Sequence, residues 1–141
     1  MDKTLSEIFL TDRSGTRRNM PMVLFVDDDN AFWKELRRLF DQGSDFDACE
    51  EARNGAEALA KTRGQSPDLA ILDLSLPDMS GLQLAGELKE IMPELPIFLL
   101  TTDYSVKLEK QALSCGIIAV FSKLDDLAML LANARAVCRI E

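Results

Sequence analysis

A chain of 141 residues with 24 acidic and 16 basic side chains has a net charge of −8, which opposes nonspecific attraction to nucleic-acid phosphates or anionic lipid. The length suits one domain that buries roughly 68% of its unfolded surface, so no disulfide or metal staple is required. With no histidine in the sequence, a Ser-His-Asp triad, a histidine-ligated metal and a histidine phosphocarrier are excluded.

Cys49, Cys115 and Cys138 are odd in number, far apart and set among apolar residues, so they read as small core fillers in a reducing compartment. No apolar run is long enough to span a bilayer and Met1 to Met20 lacks a signal-peptide core, which points to a cytoplasmic protein.

Residues 1–20 hold Asp2, Lys3, Glu7, Asp12, Arg13, Arg17 and Arg18 around one brief apolar patch, and are expected to form a flexible extension ahead of a domain spanning 21–141. Arg13, Arg17 and Arg18 could meet an acidic partner, although simple solvation is the plainer reading.

Met22-Val23-Leu24-Phe25-Val26 reads as a strand covered on both faces, and it runs into Asp27-Asp28-Asp29-Asn30. Phe32, Leu36, Leu39 and Phe40 then recur at helical spacing, so Asp29 or Asn30 should start a helix. One aspartate satisfies that cap. Two further carboxylates are left to repel each other at a strand top, where a divalent cation would relieve them; a solvated charged turn is an even match for that reading.

Phe46 to Ala52 fits an edge strand, Asn54-Gly55 a turn, and Ala56, Leu59 and Ala60 a short helix ended by Gly64 and Pro67. Leu69 to Leu72 is a buried strand that stops at Asp73, expected to stand exposed before the turn of Leu74 to Gly81. Leu82, Ala85 and Leu88 mark the next helix, which stops before Pro93. Pro96 to Leu100 is a strand ending in Thr101-Thr102-Asp103. A helix on Val106, Lys110 and Leu113 follows, closed by Gly116. Ile117 to Phe121 is the fifth strand, leading to Ser122-Lys123.

The last helix carries Leu127, Leu130, Leu131, Ala134 and Cys138 on its core face, with Asp125 as expected N-cap. Met129, Ala132, Ala136 and Ile140 form a second stripe, a candidate surface for docking or for a weak homodimer; scattered apolar residues on an alanine-rich helix is the blander reading.

Five strands alternating with five helices specify a parallel sheet wound by right-handed crossovers, whose binding crevice lies beyond the carboxyl ends of the strands. Asp27, Asp28, Asp73, Thr101 and Lys123 all stand at such ends. Singly, each has a bland role: a turn cap, a solvated lysine, a hydroxyl on local backbone. Together they allow phosphoryl transfer to a carboxylate, with Asp73 as nucleophile. Asp27 and Asp28, with Asp73 and the Ser75 backbone carbonyl, would hold Mg²⁺, while Lys123 and Thr101 meet the remaining phosphoryl oxygens.

These residues resemble the receiver domain of two-component response regulators, of the single-domain, chemotaxis-regulator type. The match rests on Asp27-Asp28-Asp29, on Asp73 with Pro77 and Gly81, on Thr101 and on Lys123, and spans residues 22–139. It implies a flavodoxin-like, doubly wound sheet of strand order 2-1-3-4-5. It also implies phosphorylation of Asp73 by a histidine kinase or histidine phosphotransfer protein and a conformational switch read by another macromolecule, for which the −8 charge favours a downstream protein target over nucleic acid or membrane. Ser75 and Asp103 occupy positions that tune dephosphorylation in such receivers. Val120 stands where an aromatic is usual, and Leu124 where a proline usually follows the lysine, so the usual coupling of threonine to aromatic is not carried over.

A pseudo-receiver that serves protein contacts without phosphorylation is the competing expectation, kept alive by Val120 and Leu124. A hydrolase with an aspartyl-phosphate intermediate would need an acid or base two residues after the nucleophile, where Ser75 stands. FMN binding lacks its phosphate loop after the first strand, where Asp27 to Asp29 would repel phosphate.

Overall fold

Apolar runs with no polar face are satisfied between two layers, and the runs through Phe25, Ile71 and Leu99 become the inner strands of a sheet, while the run through Val120 supplies only a half-buried edge strand that begins at Ala119. The computed structural model describes residues 20–42, 46, 48–125 and 127–138. The expected extension over 1–20, Met20 apart, and Ile140 lie outside the described residues.

The strands are β1 (Met22–Val26), β2 (Ala48–Ala52), β3 (Leu69–Asp73), β4 (Ile97–Thr101) and β5 (Ala119–Ser122). The helices alternate with them: α1 (Asn30–Gln42), α2 (Gly55–Gln65), α3 (Gly81–Ile91), α4 (Val106–Ser114) and α5 (Leu127–Val137). All strand pairs are parallel and the order is β2-β1-β3-β4-β5, the doubly wound flavodoxin-like arrangement expected from the sequence. Winding reverses between β1 and β3, so the switch point opens between the ends of these two strands.

Side-chain alternation divides the core into two chemically different layers. Leu24, Val26, Ala70, Leu72, Ile97 and Leu99 face α2, α3 and α4, meeting Ala58, Leu84, Ala85, Leu88, Leu108 and Ala112 in an aliphatic layer. Val23, Phe25, Leu69, Ile71, Phe98 and Leu100 face α1 and α5, meeting Trp33, Leu36, Phe40, Leu130 and Ala134. Aromatic rings dominate this second layer. Phe25 meets Trp33 and Phe40 edge-on, with centroids 5.9 and 5.1 Å away, a geometry worth about 0.5–1.5 kcal/mol per pair beyond area burial.

Several local expectations need correction. Asn54 is the N-cap of α2 rather than a free turn, its side chain accepting from the Glu57 N–H at 2.8 Å. The buried residues of α2 are Gly55, Ala58 and Thr62, while Ala56 and Ala60 are exposed; Thr62 passes for apolar because its hydroxyl donates to the Ala58 carbonyl at 2.8 Å. Gly64 lies within α2, which ends instead at Ser66 in the left-handed region, φ 51°.

On α4 the core side is Leu108 and Ala112, leaving Val106 63% and Leu113 51% exposed. Gly116 closes this helix with φ 89°, a conformation that a side chain would strain. Cys115 is exposed rather than core, and Cys138 is half-buried, its thiol pushed up to about 12 by burial and by the charge of Asp68. α5 begins at Leu127, two residues beyond Asp125. Because Leu113 is 51% exposed, Leu113→Ser is expected to change stability by less than about 0.5 kcal/mol, read from urea unfolding; a loss above about 1.5 kcal/mol would place Leu113 on the core face instead.

Candidate functional site

The candidate site is assembled by three chain segments leaving the sheet at one edge. β1 hands over to Asp27 and Asp28, β3 ends on Asp73, and Lys123 follows β5, its N–H donating to the Thr101 carbonyl at 2.8 Å. One carboxylate oxygen from each of Asp27, Asp28 and Asp73 lies within 4.8 Å of the others, the spacing of a hard cation's oxygen ligands. Asp27 and Asp73 are buried and Asp28 is exposed, so the cluster opens to solvent on the Asp28 side.

The Lys123 ammonium reaches into this cluster, 2.7 Å from Asp27 Oδ2 and 3.5 Å from Asp73 Oδ1. It also lies 4.7 Å from the centroid of the Phe32 ring, whose electron-rich face favours a cation. The other oxygen of Asp27 accepts the Asp29 N–H at 2.8 Å, and Asp29 in turn caps α1 by accepting from Ala31 and Phe32 at 3.1 and 3.3 Å. The aspartate triplet is thus divided: Asp29 caps the helix, and Asp27 and Asp28 serve the crevice.

Asp73 was expected to be exposed but is 8% exposed, because β3 runs one residue further and Asp73 is its last residue. Burial and the neighbouring Asp27 charge raise its carboxyl from an ordinary value near 3.8 to about 6. Lys123 and the Ser75 N–H, which donates to the Asp73 carboxylate, oppose that rise without cancelling it. For Lys123, burial acts to lower the ammonium, but its hydrogen bond to Asp27 and the charges of Asp27 and Asp73 prevail and hold it above the ordinary lysine range. Three carboxylates against one ammonium leave a net negative crevice with oxygen donors only, which fits a hard divalent cation.

Thr101 is buried at the end of β4, and its Oγ1 accepts the Asp103 N–H at 3.0 Å. Val120 is half-buried against the aliphatic layer, and Leu124 is 81% exposed, following Lys123 through a trans peptide. Met129, Ala132 and Ala136 of the second α5 stripe are exposed.

Sequence reasoning missed Phe32, which looked like one more apolar position of α1, and Asp78, whose carboxylate accepts the Gly55 and Ala56 N–H groups at 2.8 and 3.0 Å. An aspartate after proline in a loop gives no signal of a partner more than twenty residues away.

The response regulator receiver domain family matches residues 23–135. The chain is 38% identical over 118 residues to a Pseudomonas aeruginosa protein named as a candidate transcriptional regulator, covering 84% of this chain and 56% of that protein. It is 32% identical over 95 residues to the response regulator protein VraR of Staphylococcus aureus, covering 67% of this chain and 46% of VraR. The chain therefore spans about half the length of the curated relatives it matches. Among solved structures, the CheY-like receiver domain protein of Methanospirillum hungatei superposes with a TM-score of 0.78 at 25% identity, covering 86% of this chain and 95% of that one. The chemotaxis response regulator CheY4 of Vibrio cholerae gives 0.76 at 26% identity, over 84% and 99% of the two chains.

Among the described residues no helix is long and apolar enough to cross a membrane. With the sheet order, the acid cluster and the lysine in place, the chain belongs to the response regulator receiver domain family of two-component signalling.

Proposed function

We propose that this receiver is a Mg²⁺-dependent phosphoacceptor in the cytoplasm, taking a phosphoryl group on Asp73 from a histidine kinase or histidine phosphotransfer protein. A downstream protein would read the result. The observation that carries the reading is the convergence of Asp27, Asp28 and Asp73 oxygens within 4.8 Å, with the Lys123 ammonium 3.5 Å from the Asp73 carboxylate.

In the reaction, an Asp73 oxygen attacks phosphorus and a new P–O bond forms. The bond from phosphorus to the donor's nitrogen or oxygen breaks, and its electron pair leaves with the donor. Asp27, Asp28, Asp73 and the Ser75 backbone carbonyl would hold Mg²⁺, which neutralises charge between nucleophile and phosphoryl oxygens. Lys123 supplies a second positive charge to the transferred group and Thr101 a hydroxyl donor, while the buried setting of Asp73 limits competing water.

The exposed stripe of Met129, Ala132 and Ala136 supports protein contact on α5, with a partner or a second copy of the chain. The −8 net charge supports a signal passed to protein rather than directly to nucleic acid by this chain.

The reading is tested by incubating the chain with acetyl phosphate and Mg²⁺ and measuring intact mass. The expected result is a gain of one phosphoryl group that disappears in Asp73→Asn and in excess EDTA. An unchanged mass in the wild type, with no response to beryllofluoride, would overturn it in favour of a pseudo-receiver that serves contacts alone.

A further inference from the structure

The loop that follows Asp73 is pinned at both ends. At its neck the Gly81 N–H donates to the Leu74 carbonyl at 2.7 Å, and Ser75 and Ser80 form an antiparallel bridge. At its tip the Asp78 carboxylate accepts from Gly55 at 2.8 Å and Ala56 at 3.0 Å, the first two N–H groups of α2. Asn54 already covers the third, that of Glu57, so the two caps divide the first turn of the helix without competing.

The next residue reinforces the join. The Met79 thioether fills the space a Gly55 side chain would need, a Cβ there lying 2.5 Å from Met79 Sδ. The positive end of α2 favours the Asp78 charge, whose carboxyl is held below its ordinary value chiefly by the Gly55 N–H.

We infer that Asp78 is a positioning residue for the metal-binding half of the site, acting through Ser75. Ser75 lies on the exposed arm of this loop that leaves β3, and its N–H bonds the Asp73 carboxylate. The inference rests on the proposed phosphoacceptor function, in which the Ser75 carbonyl is a metal ligand. Fastening the tip to α2 fixes the height of that arm, so the ligand set is ordered before the cation arrives. A cap that served only α2 would affect helix stability and leave cation affinity alone.

The test uses the full chain and Trp33, the single tryptophan, as a fluorescence reporter of Mg²⁺ titration. Asp78→Ala is expected to weaken Mg²⁺ binding by about 3- to 10-fold. The acetyl phosphate reaction should recover most of its rate at saturating Mg²⁺, because Asp73 and Lys123 are intact. Asp78→Asn keeps one acceptor oxygen and should fall between wild type and Asp78→Ala. Amide hydrogen exchange should quicken at Gly55, Ala56 and Leu74 to Ser80 in the alanine variant. A folded Asp78→Ala with wild-type Mg²⁺ affinity overturns the positioning role alone. A wild type that neither binds Mg²⁺ nor takes up a phosphoryl group overturns the phosphoacceptor reading, and this role with it.

Discussion

Gly81→Ala is expected to destabilise the chain by about 3 kcal/mol and to impair Asp73 at the same time. A methyl group on Gly81 would sit 2.5 Å from the Asp73 carbonyl oxygen, 2.8 Å from Leu99 Cδ1 and 3.0 Å from the Leu74 Cα. The leucine methyl can rotate away, but the other two contacts are backbone of β3 and the residue after it. Relief requires α3 to back away from the strand, which would break the Gly81 N–H bond to Leu74 and open the aliphatic layer around Leu84, Ala85 and Leu88. The penalty thus falls on the peptide that carries Asp73, the proposed phosphoacceptor. Urea unfolding of the two proteins gives the difference, and a change below about 0.5 kcal/mol would show that the helix can retreat freely.

Asp73→Asn is expected to do the opposite to stability while abolishing phosphorylation. Without a divalent cation, the Asp73 carboxyl titrates at about 6 in the folded chain against an ordinary 3.8, so the native state binds this proton more tightly than the unfolded state does. The sign follows. Below the unfolded value both states are protonated and there is no penalty; as pH rises from about 4 through 6, the wild type loses stability from this group, and above that the loss is complete. Asparagine carries no such charge. In EDTA at pH 7 the variant should be more stable by about 2 kcal/mol, and the gap should close towards pH 4. Mg²⁺ should narrow the gap at neutral pH by stabilising the wild type selectively. Unfolding curves from pH 4 to 8 check this, and parallel curves for the two proteins would refute the buried-charge account.

The strands and the acidic crevice were legible because both depend on sequence features that tertiary context rarely overrides. A run such as Ile97 to Leu100 has no polar face to expose, and an aspartate just after such a run must lie at a sheet edge. Less was legible where the choice lay between two weak stripes. On α4, Val106, Lys110 and Leu113 compete with Leu108 and Ala112, and burial goes to the face whose small alanine allows close approach to the sheet. On α2 the buried set includes a glycine and a threonine, residues that carry no apolar signal. The burial of Asp73 was hidden for a related reason: strand ends are blurred by a residue or two, and here one residue separates a wet carboxylate from a buried one.

Lys123 has a bearing on how the chain matures. Its ammonium, tethered 2.7 Å from Asp27, offsets part of the repulsion built into the sheet edge. The newly made polypeptide carries its own counterion, so β1 and β3 can align whether or not metal is at hand. On the proposed reading, magnesium supply would then set readiness to signal more than the yield of folded protein.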